Sequence, residues 1–324
     1  MRHLRLRRRR NKITVVGAGL VGSTFAYTLM ISGLVSEIVL VDVDAARAEG
    51  QAMDLNHGAS FVPPVRVQSG GWEDSARSDI VAITAGVAQK PGESRLDLVR
   101  RNVDIFRSII PEIVKASPEA ILLVVTNPVD IMTYATMKLS GLPEEHIVGS
   151  GTLLDSSRFR HLLSRHCHIA PGNVHAYIIG EHGDSEVPVW STANVAGLKL
   201  DEYCPVCGRG CKDEIRDHIF EQVRGAAYAI IERKGATYYA IALAMTAIVR
   251  AILRDENAVM TVSVPAKGHY GVDDICLSLP AVITRAGVSR VLKIPLSPEE
   301  ERGFRESGRV LASVARDVGL RDTP

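Results

Sequence analysis

The 324-residue sequence has almost no net charge. Its 38 Lys plus Arg stand against 37 Asp plus Glu, a formal +1. That balance supplies no drive toward nucleic acid or an acidic membrane surface. A long apolar run is also missing. The longest candidate, Ala240 to Val249, stops at Arg250, well short of the roughly 20 residues that span a bilayer. It reads as a buried helix. The first ten residues carry six arginines but no apolar stretch of signal-peptide length. Residues 1–11 therefore read as a basic, solvated tail. Cysteine is scarce: five in all, an odd number and no export signal, which favours reduced thiols in the cytoplasm over a disulfide framework. Three of them, Cys204, Cys207 and Cys211, form a C-x2-C-x3-C group. A closed zinc site needs four ligands, and only His218, further along, stands near enough to be considered. The expectation is a loop with incidental thiols and no metal.

Hydrophobic residues make up 46% of the chain, ordinary for a globular protein, and the length exceeds what one core usually holds. Two lobes are expected. In the first half, short β-branched runs at Ile13–Val16, Glu37–Val41, Asp79–Thr84 and Ala120–Thr126 alternate with amphipathic segments such as Val21–Ser32 and Leu96–Ala116. Strands alternating with helices give a doubly wound parallel α/β sheet. The second half is mixed α+β. Leu153–His166 reads as a helix, Val174–Ile179 as a strand and Asp213–Arg254 as one long helical stretch. Ala258–Val264 and Gly271–Leu279 read as antiparallel strands. A last helix, Ser297–Val318, is capped by Ser297 with Glu300 three residues on. The boundary is expected near Gly149–Gly151, with residues 12–150 on one side and 151–324 on the other.

The run Ile13–Val16 leads straight into Gly17-Ala18-Gly19-Leu20-Val21-Gly22. This is G-x-G-x-x-G between a strand and a helix. The first glycine makes the turn, the second admits a pyrophosphate to the backbone, and the third lets helix pack on strand. Asp42 ends the second strand, 20 residues past Gly22. A carboxylate there accepts hydrogen bonds from a ribose and repels a 2′-phosphate, so a Rossmann-type fold binding NAD rather than NADP is expected.

Five further segments converge on one chemistry. Gly180-Glu181-His182-Gly183-Asp184 follows a strand. Leu154-Asp155-Ser156-Ser157-Arg158 puts Asp155 and Arg158 at i and i+3 on one helix face. A carboxylate aimed at His182 would fix its tautomer and favour its charged form, and Arg158 offers a planar fork to a substrate carboxylate. Thr126-Asn127-Pro128-Val129-Asp130 lies at a strand's carboxyl end, where such sheets bind ligands. The segment from Gln89 to Arg95 is polar and holds Pro91 and Gly92, as a closing lid would. Thr237 and Ile241 are spaced to share a helix face.

In combination these motifs resemble the lactate and malate dehydrogenase family, from about Lys12 to Leu320. The resemblance implies reversible hydride transfer between NADH and a small 2-keto acid. His182 would donate the proton, Asp155 orient it, Arg158 hold the substrate carboxylate and Arg95 polarise the carbonyl from the lid. Asn127 and Thr237 would complete the substrate site. The implied cofactor contacts are Gly17, Gly19, Val21, Gly22, Asp42, Arg47, Trp72, Gly86, Val87, Ser108, Val125, Asn127, Ser150 and Ile241. Malate-specific relatives carry arginine where this chain has neutral Gln89, so pyruvate is expected over oxaloacetate. A longer-chain 2-hydroxy acid dehydrogenase or a malate dehydrogenase is the alternative, and a non-catalytic NAD-binding protein a more remote one. In members activated by fructose 1,6-bisphosphate, residues matching Arg160 and His175 bind the sugar phosphates between subunits. The resemblance thus implies a homotetramer with that effector.

Overall fold

The β-branched runs of the first half become strands because both faces of each are covered by helices, so unbroken apolar sequence is tolerated. In this computed structural model, which describes residues 11–87, 92, 94–208 and 212–321, they are β1 (Lys12–Val16), β2 (Glu37–Val41), β4 (Ile80–Ile83) and β5 (Ile121–Val124), joined by two strands that the sequence reading did not name, β3 (Arg66–Ser69) and β6 (Ile147–Gly149). All six are parallel, in the order β3-β2-β1-β4-β5-β6. The order reverses between β1 and β4, and that switch point opens a crevice at the carboxyl ends of the strands. The crossovers are α1 (Leu20–Ser32), α2 (Ala45–His57), α3 (Arg95–Ala116) and α4 (Val129–Ser140).

The second half begins with α5 (Leu153–Cys167), β7 (Val174–Ile179), β8 (Val187–Val195) and β9 (Leu198–Lys199), then α6 (Leu200–Cys207), α7 (Asp213–Lys234) and α8 (Tyr239–Arg254). It ends with β10 (Ala258–Pro265), β11 (Cys276–Thr284), β12 (Gly287–Val291) and α9 (Pro298–Asp317). Strands β10 to β12 do not form a separate sheet. β10 joins β6 through Ser263 opposite Gly149, so one nine-stranded sheet runs through both halves. The separate sheet is β7-β8-β9, and it packs with α5 and α7 in a smaller core around Phe159, Ile178 and Val223. Helix α9 starts as its sequence dictates: Ser297 Oγ accepts from Glu300 N–H, and Glu300 Oε2 accepts from Ser297 N–H at 2.7 Å.

Three local expectations change. The stretch Asp213–Arg254 is two helices, because Gly235 takes a left-handed conformation (φ 83°) that closes α7 and leaves Ala236–Tyr238 outside any helix. The strand expected at Gly271–Leu279 starts at Cys276 instead, after a 3-10 turn at His269–Gly271, and runs on to Thr284. Asn11, assigned to the tail, is tied into the fold: its Nδ2 donates to Leu34 O at 3.0 Å, and its carbonyl accepts from Ser36 N–H. Residues 1–10 lie outside the described residues. Among the described residues no helix is long and apolar enough to cross a membrane.

Candidate active site

The glycine turn after β1 is built by close approach. Gly17 has φ 104°, and a Cβ there would lie 2.6 Å from the backbone of Ala85. A Cβ on Gly22 would lie 1.9 Å from Gly17 O, so helix and strand touch where the third glycine sits. Gly19 differs: nothing lies within 4 Å of its Cβ position. It caps α1 without a side chain of its own, leaving the first N–H groups of the helix facing open space. Asp42, at the end of β2, accepts from Ala18 N–H at 2.6 Å and from Asp44 N–H at 2.9 Å.

A cleft of about 690 Å³ opens at this point. Gly17, Gly19, Asp42, Arg47 and Trp72 line it, as do Gly86, Val87 and Ser108. These residues fit a dinucleotide: backbone donors and a bare glycine for the phosphates, a carboxylate for the ribose, and apolar walls for a flat base. Other residues expected at the cofactor do not line the cleft. Gly22 is spent on helix packing, while Val21, Val125 and Ile241 pack against the main core. Ser150 is buried, with its N–H on Val124 O. Asn127 is exposed at the end of β5, its carbonyl accepting from Asn102 Nδ2 at 2.9 Å. Gly70, Gly71, Ile105 and Ile109 line the cleft too and were not anticipated. The Gly70-Gly71 pair directly after β3 was the available signal.

A second group of residues gathers where β7 ends. Ile178 N–H donates to Ser156 Oγ at 2.9 Å, and Thr152 Oγ1 donates to Ile178 O at 2.5 Å, which fixes α5 against β7. Beyond β7, Gly180 pairs with Ser278 of β11 through bonds of 3.0 and 2.8 Å. The histidine loop is thus pinned to both sheets. As a result His182 Nδ1 lies 2.5 Å from Asp155 Oδ2, while Arg158 Nη1 donates to Asp155 Oδ1 at 2.6 Å. The Asp155 side chain is 3% exposed. Burial alone would raise its pKa, but the two cations hold it below the usual carboxylate range. Burial likewise opposes charge on His182, yet the charge and hydrogen bond of Asp155 push its pKa up to about 9.

Asp130 is a residue whose part the sequence did not disclose. It is buried, accepting from His182 N–H at 2.7 Å and from Ser263 Oγ at 2.6 Å, and burial pushes it up to about 6. Asn102 is another: it bridges two strand ends, since its Oδ1 accepts from Val87 N–H at 2.9 Å while its Nδ2 holds Asn127 O.

Arg95 opens α3 and pairs with Asp184 of the histidine loop, Nη1 to Oδ2 at 2.6 Å. Tyr228 Oη of α7 donates to the other Asp184 oxygen at 3.1 Å. Both partners of the ion pair are more than half exposed, so the pair is worth about 0–1 kcal/mol and exchanges readily. Thr237 does not share a helix face with Ile241, because it precedes the first turn of α8. Gln89 lies outside the described residues. Arg160 faces away from Arg158: its Nε donates to Ala176 O at 2.9 Å and its guanidinium covers the Tyr177 ring, while His175 on the same strand is exposed. Cys204 is buried in the smaller core and His218 is exposed. Cys211 and the side chain of Cys207 lie outside the described residues, and among the described residues no cluster of three metal-ligating side chains occurs.

A dinucleotide cleft at the switch point, together with a buried carboxylate–histidine pair, defines an NAD-dependent dehydrogenase. Family models agree: residues 11–149 match the NAD-binding domain, and residues 152–318 the α/β C-terminal domain, of lactate/malate dehydrogenases. The chain belongs to the lactate/malate dehydrogenase family. It is 54% identical over 310 residues to an L-lactate dehydrogenase of Thermoanaerobacter sp. (strain X514), covering 96% of this chain and 100% of that protein. To an L-lactate dehydrogenase of Acetivibrio thermocellus it is 55% identical, covering 95% and 98%. Among solved structures, a ligand-bound minor L-lactate dehydrogenase from Enterococcus mundtii superimposes with a TM-score of 0.93 at 41% identity, over 96% of this chain and 99% of that one.

Proposed function

We propose that the chain is an L-lactate dehydrogenase in which His182 exchanges the proton. The observation that carries the reading is the 2.5 Å contact between His182 Nδ1 and Asp155 Oδ2, with Arg158 on the same carboxylate. The names of its relatives and the neutral residue at Gln89 favour pyruvate over a dicarboxylate. When bound in the cleft, NADH supplies the hydride that reduces the keto carbon of pyruvate to (S)-lactate.

The chain's own residues supply the rest. Asp155 accepts from Nδ1 of His182, which leaves Nε2 as the proton-bearing atom turned to substrate. Protonated His182 hydrogen-bonds the keto oxygen and gives up its proton as negative charge develops there. Arg158 commits one N–H to Asp155, and the other donors of the guanidinium receive the pyruvate carboxylate. Arg95 exchanges the exposed carboxylate of Asp184 for the substrate carbonyl as the lid closes. Asn127 orients both reactants at the end of β5, and Thr237 borders the methyl side.

The same reading covers assembly and regulation. The enzyme is a cytoplasmic homotetramer serving fermentation, and fructose 1,6-bisphosphate raises its pyruvate affinity through Arg160 and His175. The bond from Arg160 to the backbone of Ala176, the residue next to exposed His175, supports that site. The test of the activity is NADH oxidation with a panel of pyruvate, longer 2-keto acids and oxaloacetate. Pyruvate should give the highest kcat/KM. A preference for oxaloacetate or a branched keto acid reassigns the substrate, and no turnover with any removes the activity.

A further inference from the structure

Glu186 lies four residues beyond His182, at the entry to β8. It is 7% exposed, and its Oε1 has no hydrogen-bond partner among the described residues. Its backbone N–H is held by Gly183 O at 3.2 Å, which folds the residue back beneath the histidine loop. The charged groups that bear on its carboxyl are Asp155 and Arg158 from α5, His182 from its own loop and Arg224 from α7. Asp130 in turn bears on His182 from the start of α4.

Three buried carboxyls, Asp155, Asp130 and Glu186, thus bear on His182, and like charges so gathered are not all held cheaply. Asp130 rests on His182 N–H and Ser263 Oγ. Asp155 has the claim to the charge, because it meets His182 and Arg158 at 2.5 and 2.6 Å. Glu186 has a buried oxygen, Oε1, without a hydrogen-bond partner among the described residues. A buried carboxyl without a partner sheds its charge by keeping its proton.

We propose that Glu186 is a positioning residue, a buried protonated acid that leaves Asp155 as the anion shared by His182 and Arg158, so that the carboxylate of the substrate meets Arg158 without a further negative charge beside it. It touches neither substrate nor cofactor. The inference rests on the reading of His182 as proton donor. Its physical consequence is an upper limit to the working pH. Burial, and next the charge of Asp155, push Glu186 up to about 8, below the value of about 9 reached by His182. Above the lower of these, an ionised Glu186 repels the carboxylate that Arg158 receives, while His182 is still protonated.

The experiment compares wild type with Glu186→Gln, which mimics the neutral acid. In wild type, the pH profile of kcat/KM for pyruvate should bend downward first near pH 8 and again near 9. Glu186→Gln should lose the first bend and keep a single later one, drawn somewhat below 9 because the charge of Glu186 helps to raise His182, so that its fall between pH 7 and 8.5 is smaller than in wild type. The wild-type fall should lie in KM rather than kcat. Infrared spectra of the unliganded protein give a readout independent of turnover. A protonated-carboxyl carbonyl band should be present in wild type at pH 7, fade as pH rises past 8, and be missing from Glu186→Gln. Absence of that band from wild type overturns the proposal, and so does a variant profile that is parallel to wild type at every pH. If instead His182→Gln turns over normally while the band behaves as described, the reading of His182 fails and the protonated state of Glu186 stands.

Discussion

Asp155 holds His182 and Arg158 at once, one carboxylate oxygen on each, 2.5 Å and 2.6 Å away. The histidine proposed to donate the proton and the arginine proposed to receive the substrate carboxylate are therefore set at a fixed separation by a single buried side chain.

Replacing His182 with Gln should leave NADH binding intact and remove about 10²–10⁴-fold of pyruvate reduction, the usual contribution of a positioned acid. Fluorescence titration with NADH and steady-state turnover separate the two. Turnover close to wild type in a variant that binds NADH would refute the role.

Asp155→Asn should move the pH dependence. His182 is charged up to about pH 9 chiefly because Asp155 opposes the cost of its burial. On the proposed mechanism pyruvate reduction needs the charged ring, so the part of the wild-type decline that belongs to His182 should fall near pH 9, above the bend assigned to Glu186, and lactate oxidation should climb over the same range. The variant's decline should begin well below that. Stability follows the same sign. A histidine whose folded pKa is raised stabilises the fold fully below its unfolded value of roughly 6.5, and that stabilisation is lost as pH rises through about 9. Thermal unfolding between pH 6 and 9.5 should show a flatter dependence in Asp155→Asn than in wild type.

Two glycines of the cofactor turn should separate folding from binding. Gly17→Ala puts a Cβ 2.6 Å from the Ala85 backbone at φ 104°, so the variant should unfold at clearly lower temperature. Gly19→Ala meets nothing within 4 Å. Its Tm should drop by less than about 4 °C, while NADH affinity falls because the methyl group fills the space a pyrophosphate needs. Equal NADH affinity in Gly19→Ala and wild type would contradict the cofactor assignment.

Gln89→Arg should shift the kcat/KM ratio from pyruvate toward oxaloacetate, because the added guanidinium pairs with a second carboxylate and is left unpaired by a methyl group. A ratio that does not move would mean that residue 89 does not meet the substrate side chain.

Arg160→Gln should abolish the leftward shift of the pyruvate saturation curve that fructose 1,6-bisphosphate is expected to cause in wild type. An undiminished response in the variant would remove Arg160 from the effector site, and a wild type that ignores the effector would remove the regulation.

Much of this molecule was decided locally. A β-branched run of four residues entering Gly17-Ala18-Gly19, with Asp42 at the end of the next strand, has one workable backbone path, since only glycine takes the turn and only a short approach lets helix meet strand. The helix spacing of Asp155 and Arg158 likewise fixes their shared face. The sequence alone does not say which distant carboxylate reaches which ring nitrogen. Asp155 meets His182 because Ser156 and Thr152 bind Ile178 and because Gly180 pairs with Ser278, contacts that span 22 to 98 residues. The break at Gly235, the sheet that continues from β6 into β10, and the burial of Asp130 and Glu186 were likewise decided by packing. An unsatisfied carboxyl has no local signature: Glu181 and Glu186 read alike along the chain, and only the folded pocket leaves one of them bonded to Ser185 and the other with a bare oxygen.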